Sequence, residues 1–160
     1  VDKVARDVFK AEELVDFSTK ENLAERLAKK IGASAAETMA RGFIEDDKTK
    51  LDWKLPRELL PKNRVKLLLN MLVIAQQTIP RGGVLSVEGT GNNEAMTFRI
   101  SANGLNARIP QNIVELLNGA TQGAIDAHKV QPHYTRLLAE FCGLRISLDM
   151  QGEAVLIAAA

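Results

Sequence analysis

Pro61-Lys62-Asn63-Arg64-Val65-Lys66-Leu67-Leu68-Leu69-Asn70-Met71-Leu72-Val73-Ile74-Ala75-Gln76-Gln77-Thr78-Ile79-Pro80-Arg81-Gly82-Gly83-Val84-Leu85-Ser86-Val87 is the stretch whose reading decides the fold. Pro61 suits a helix start, because the amide donor it lacks has no partner in a first turn anyway. Val65, Leu68, Leu69, Leu72, Val73 and Gln76 keep the 3.6-residue period, and Leu67, Met71 and Ile74 widen the stripe. The spacing predicts a helix from about Lys62 to Thr78, buried on more than one side. Pro80 stops it. Gly82-Gly83 turns the chain into an alternating strand, Val84 to Gly89. Asn70 is a polar residue inside this apolar helix.

Downstream, Thr90 to Asn93 reads as a hairpin turn. A second strand, Ala95 to Ala102, carries Met96, Phe98 and Ile100 on one face, and Asn103-Gly104 ends it. Pro110 opens a short helix through Leu117. Ala120 to Ile125 is small and polar, as loops are. Asp126 to Val130 leads to Pro132, placed in the first turn of the next helix. That helix has Tyr134, Leu137, Leu138 and Phe141 at i, i+3, i+4 and i+7, and Gly143 caps it. Two strands, Leu144 to Met150 and Ala154 to Ala159, join through Gln151-Gly152.

Upstream, Thr49 to Leu55 alternates around Leu51 and Trp53 and reads as a strand. Ser34 to Glu37 has the form of a capping box, a hydroxyl followed three residues later by a carboxylate. It opens a helix from about Ala35 to Ile44, with Met39 and Phe43 on one face. Ser18 to Glu21 is another such box, followed by Leu23, Leu27 and Ile31 and closed by Gly32. A ragged helix over residues 2–16 precedes it. The expected architecture is an α/β (α+β) two-layer sandwich, its mixed sheet covered by helices on one face. Residues 1–45 form an N-terminal helical segment and residues 46–160 the sandwich.

Composition narrows the function. The 160 residues are 46% apolar and 26% charged, with a net charge of +1, a profile of soluble globular proteins. No apolar run approaches the ~20 residues that span a bilayer. Neither a basic block nor aromatic-basic interleaving is present, so nucleic-acid binding is disfavoured. Cys142 is the single cysteine, which excludes an internal disulfide and fits a reducing cytoplasm. His128 and His133 lie near no second cysteine, so a zinc site is disfavoured. No Ser-His-Asp set or carboxylate pair stands out, and the catalytic residues stay unknown.

The phrases Leu69-Asn70-Met71-Leu72-Val73-Ile74-Ala75 and Pro80-Arg81-Gly82-Gly83 resemble the ATP-binding domain of sensor histidine kinases. In that family the helix carries a second asparagine that holds magnesium; Ile74 stands there, with no oxygen for a hard cation. An aspartate that reads adenine is expected where Ala102 stands, ahead of Asn103-Gly104-Leu105-Asn106. The glycine-rich phosphate motif is replaced by Ala127-His128-Lys129-Val130-Gln131-Pro132-His133. Three nucleotide contacts are missing together, which argues against ATP hydrolysis, a metal or a cofactor. The phrases Leu60 to Asn70, Ile79 to Gly83 and Asp126 to Tyr134 are similar to the alphaproteobacterial histidine phosphotransferase family of the ChpT type, over roughly residues 38–160.

That resemblance implies a cytoplasmic homodimer of two-component signalling, a phosphorelay transferase with a degenerate ATPase fold. It takes phosphate from a hybrid histidine kinase and passes it to response-regulator receiver domains, with no nucleic acid and no membrane involved. The family's phosphoacceptor is a His-Asp pair on its first helix, whereas no histidine precedes His128 here. A non-catalytic receiver-binding regulator and a residual nucleotide-binding enzyme stay open beside it. Lys62, Arg64, Lys66 and Arg81 are the candidate contacts to an acidic partner; a solvated helix end and a plain turn are the simpler readings. His128 lies before the last long helix and reads as bonded to a neighbouring loop. His133 falls in that helix's first turn and reads as neutral and structural.

Overall fold

The computed structural model describes residues 30–92, 95–117 and 127–160. The helices expected before residue 30 and the loop expected over residues 120–125 lie outside the described residues. In chain order the elements are β1 (Lys30–Gly32), α1 (Ala33–Ile44), β2 (Thr49–Trp53), β3 (Leu59–Pro61) and α2 (Lys62–Thr78). There follow β4 (Gly83–Thr90), β5 (Thr97–Asn103), α3 (Gln111–Leu117), α4 (Ala127–Phe141), β6 (Ile146–Gln151) and β7 (Ala154–Ala159).

The core is built on α2. Thirteen of its 17 residues are buried, so it is surrounded by protein rather than laid on a surface. It is also the crossover that lets β2 and β4 pair in parallel, a geometry that two strands cannot reach through a tight turn. The five-stranded sheet runs β2-β4-β5-β7-β6, antiparallel beyond its first pair. Alternation places Leu85, Val87, Phe98, Ile100, Ala102, Val155 and Ile157 against the helices, fully buried, and sends Glu88 and Arg99 outward. This is the mixed two-layer sandwich that the sequence pattern implies. α1 adds Ala36, Ala40 and Ile44 to the same core.

Several local expectations are corrected. Residues 30–32 do not end a helix: they form a strand that pairs antiparallel with Leu59–Pro61. Gly32 has a φ of −65° and precedes α1, so no left-handed cap exists there. Helix α1 starts at Ala33, which puts Ser34 inside the helix, and the N-cap makes no side-chain hydrogen bond. Its buried face is the row Ala33, Ala36, Ala40 and Ile44, and Met39 is exposed. Phe43 is half-buried and packs against the core beside that row. In α4, Pro132 lies inside the helix; without an N–H it cannot bond the carbonyl of residue 128. The buried stripe of α4 is Gln131, Tyr134, Thr135, Leu138 and Ala139, and Leu137 faces outward.

Two turns hold the layers in register. Gly82 has a φ of 87°, and a Cβ there would collide with the backbone of Lys48. Its N–H donates to the Ile79 carbonyl at 2.8 Å, and the Gly83 N–H donates to the Lys48 carbonyl at 2.9 Å. The end of α2 is thereby tied to the start of β2. On the other side, Arg41 of α1 donates to Glu37 at 2.9 Å, to Glu45 at 3.0 Å and to the Leu51 carbonyl at 2.9 Å. Glu45 accepts from the Leu51 N–H at 3.2 Å. Asp46 accepts from the Lys48 and Thr49 N–H groups at 2.7 and 2.8 Å. The Leu51 amide, helped by Arg41, holds the Glu45 carboxyl below its ordinary range. The amides of Lys48 and Thr49 do the same for Asp46.

Gly82→Ala is expected to cost about 2 kcal/mol or more, since it adds both a disfavoured φ and a backbone collision; the urea midpoint measures it. Acid supplies a second check. Glu45 and Asp46 bind protons more weakly folded than unfolded. Their contribution is therefore complete well above their ordinary values of 4.5 and 3.8, and is lost as pH falls through and below them. Urea midpoints should fall across that window, and the Glu45→Gln, Asp46→Asn double variant should flatten the fall.

Candidate functional site

The α2–α4 interface is where the kinase-like pattern would place its ligand contacts. Arg64, in the first turn of α2, is only 9% exposed. Its Nη1 donates to the Met96 carbonyl and its Nη2 to the Cys142 carbonyl, the latter at 3.3 Å. The start of α2 therefore sits beside the end of α4, and the two helices run antiparallel. Past Phe141, Gly143 takes a φ of 73°. The Gly143 and Leu144 amides donate back to the Glu140 and Ala139 carbonyls at 3.0 and 2.8 Å, a Schellman closure. Burial pushes the Cys142 thiol up, partly offset by the Arg64 charge. A thiol held in its neutral form is a packing group rather than a nucleophile.

Two turns further along α2, Asn70 is fully buried. Its amide donates to the Lys66 carbonyl at 2.7 Å. Gln131 of α4 brings its amide nitrogen to 2.9 Å from the Asn70 carbonyl and 3.1 Å from the Asn70 side-chain oxygen. The same nitrogen lies 3.0 Å from the Thr135 hydroxyl, which itself donates to the Gln131 carbonyl at 2.7 Å. Asn70, the first asparagine of the kinase-like phrase, is here turned onto a glutamine of the neighbouring helix. Nothing in the sequence pairs these residues, which stand 61 positions apart. The available signal was physical: a buried asparagine in an apolar helix needs a partner.

Ile74 and Ala102, at the magnesium and adenine positions, are both 0% exposed and belong to the core. Neither offers an oxygen or stands open to a ligand. The residues present do not fit a magnesium nucleotide, since a hard cation needs oxygen donors.

The four candidate cations do not form one patch. Arg64 and Lys66 are buried, at 9% and 7% exposure; this corrects the picture of a charged face at the start of α2. Lys62 is half-buried and Arg81 is exposed. They flank opposite ends of α2, roughly 25 Å of helix apart at 1.5 Å per residue. His133 is the seventh residue of α4 rather than part of its first turn, is half-exposed, and has a buried Nδ1 with no hydrogen-bond partner among the described residues. His128 lies within the helix rather than before it. Among the described residues no group of three His, Cys, Asp or Glu side chains could hold a metal ion.

Residues 33–154 match the family model of the histidine phosphotransferase C-terminal domain. Over 130 residues the sequence is 42% identical to protein phosphotransferase ChpT of Brucella abortus (strain 2308); the match covers 81% of this chain and 62% of that protein. The chain thus spans less than two thirds of that relative's length. The fold is similar to a solved structure of a bacterial phosphotransferase, with a TM-score of 0.79 and 37% identity, over 98% of this chain and 70% of that one. It also resembles the histidine kinase domain of Erythrobacter litoralis EL346 blue-light activated histidine kinase, with a TM-score of 0.61 over 98% of this chain and 70% of that one. Their identity is 13%, so this likeness concerns the fold alone.

A double-mutant cycle checks the polar seam. Asn70→Leu or Gln131→Leu alone should cost about 1–3 kcal/mol, by stranding the partner's polar atoms. The double variant should cost clearly less than the sum, with a coupling of about 1 kcal/mol read from urea unfolding.

Proposed function

The chain belongs to the histidine phosphotransferase C-terminal domain family, and from that premise we propose that it serves a phosphorelay as the docking domain of a phosphotransferase, without ATP hydrolysis. One observation carries this reading. The positions that would hold magnesium and adenine are Ile74 and Ala102, both sealed in the core, while Asn70 is spent on Gln131. A domain that keeps a kinase fold without the ligand contacts offers surface and orientation instead.

The relay itself needs no cofactor from this domain. A histidine takes phosphate from the aspartate of one receiver, that of a hybrid histidine kinase, and an aspartate of a response regulator removes it. The longer protein is then a cytoplasmic homodimer. Its degenerate kinase-like domain, over residues 46–160, receives the alanine face of α1. No helix of the described residues is long and apolar enough to cross a membrane. Arg81, exposed in the turn after α2, and half-buried Lys62 are the cations left to meet an acidic receiver face.

Incubated with a phosphorylated receiver domain, the 160-residue chain is expected to bind it and to gain no lasting acid-labile phosphate. Stable label would make His128 or His133 an acceptor, and absence of binding would remove the docking role. Calorimetry with ATP and magnesium should show no micromolar binding; such binding would overturn the assignment of Ile74 and Ala102. Arg81→Glu should weaken receiver binding about fivefold or more, with a milder effect at high salt.

A further inference from the structure

Away from the α2–α4 seam, a cleft of about 540 Å³ opens between the end of α3, the last turns of α4 and the start of β6. Leu117, Leu144 and Ile146 supply its apolar lining, and Arg136, Glu140 and Arg145 its charged groups. Its frame is stiff. The Schellman closure fixes Leu144, and the Arg145 N–H and carbonyl both pair with Ala160, at 2.9 and 3.1 Å.

The charges are unbalanced. Glu140 holds the Nη1 of Arg136 at 2.6 Å, and the Arg136 Nε is enclosed without an acceptor. The exposed Arg145 guanidinium makes no hydrogen bond or ion pair among the described residues. The cleft thus holds two cations and a single carboxylate, which pairs with Arg136 alone, beside an apolar wall.

We propose that this cleft binds a small amphipathic oxyanion: a carboxylate or phosphate monoester with a short apolar body. A planar guanidinium suits both oxyanions, and can engage two of their oxygens at once. Arg145 supplies the principal contact, and the free part of the Arg136 fork assists. The body of the ligand lies against Leu117, Leu144 and Ile146. A cation is disfavoured, because the one carboxylate is already engaged. The volume falls within the ordinary range of small-ligand sites, about 300–1,000 Å³. None of these residues belongs to the α2–α4 seam or to the proposed receiver contacts, so this site stands or falls independently of the phosphorelay reading.

The test is amide chemical-shift titration of the full 160-residue chain with phenyl phosphate, phenylacetate, inorganic phosphate and benzyl alcohol. Phenyl phosphate or phenylacetate, or both, should shift the amides of Gly143 to Ile146 saturably at millimolar concentration; which one does so identifies the oxyanion. Benzyl alcohol should produce no saturable shift, and inorganic phosphate should bind more weakly than phenyl phosphate. Arg145→Gln, an exposed substitution expected to leave folding intact, should weaken binding about tenfold, as loss of a charge-assisted contact does. Glu140→Gln should tighten it by removing the competing carboxylate, an effect that a merely structural residue would not produce. Failure of both aromatic anions to saturate, shifts confined to other residues, an unchanged affinity in Arg145→Gln or a weakened one in Glu140→Gln would each overturn the proposal. Inorganic phosphate binding as tightly as phenyl phosphate would overturn its apolar half.

Discussion

Burying a helix strands the polar groups it carries unless partners meet them, and the structure meets that demand for Arg64 and Asn70 of α2 while leaving both side-chain polar atoms of buried Asn63 without one among the described residues. Its apolar residues exclude water from three sides at once, contacting the sheet, α1 and α4. Arg64, Lys66 and Asn70 go into the interior with them. An unpaired polar group there costs more than its hydrogen bond would gain, so each partner found lowers the cost of burying the helix. Arg64 finds two carbonyls, one before β5 and one at the end of α4. Asn70 finds Lys66 and Gln131. These contacts reach across the chain and fix α4 at both ends against α2.

The same arrangement bears on the proposed loss of nucleotide chemistry. The kinase resemblance sets the magnesium and adenine contacts at Ile74 and Ala102, whose apolar side chains are fully buried, and Gln131 engages Asn70. Under that proposal the domain works through its outer surface, where Arg81 and Arg145 are exposed.

The sheet and the central helix were legible because their signals are local and repeated. Pro61, the 3.6-residue stripe and Pro80 bound α2, and alternation around Phe98 and Ile100 marks β5 with its buried face. The misread places share a different cause. Ser34 to Glu37 has the letters of a capping box, yet the helix starts two residues earlier, at Ala33, directly after the pairing of Lys30–Gly32 with Leu59–Pro61. Pro132 looks like a first-turn residue, yet α4 continues through it because Gln131, Tyr134 and Leu138 gain burial against their neighbours. Lys62, Arg64 and Lys66 look like one solvated cluster by charge alone. Arg64 and Lys66 point to opposite sides of α2, roughly 200° apart at 3.6 residues per turn, and both are buried because the helix is enclosed on most sides.

By itself, the sequence determined the order of strands and helices from Thr49 onward apart from β3, the mixed two-layer architecture, and the apolar side chains at Ile74 and Ala102, where the kinase resemblance expects ligand-bearing ones. These depend on the period of apolar side chains and on which atoms a side chain contains, both of which are read locally. Only the tertiary structure decided that Asn70 meets Gln131, that Arg64 joins Met96 to Cys142, that Lys62 and Arg81 stand apart, and that Arg136 and Arg145 share a cleft. Those facts depend on distances between residues far apart in the chain, which packing sets and no local pattern encodes.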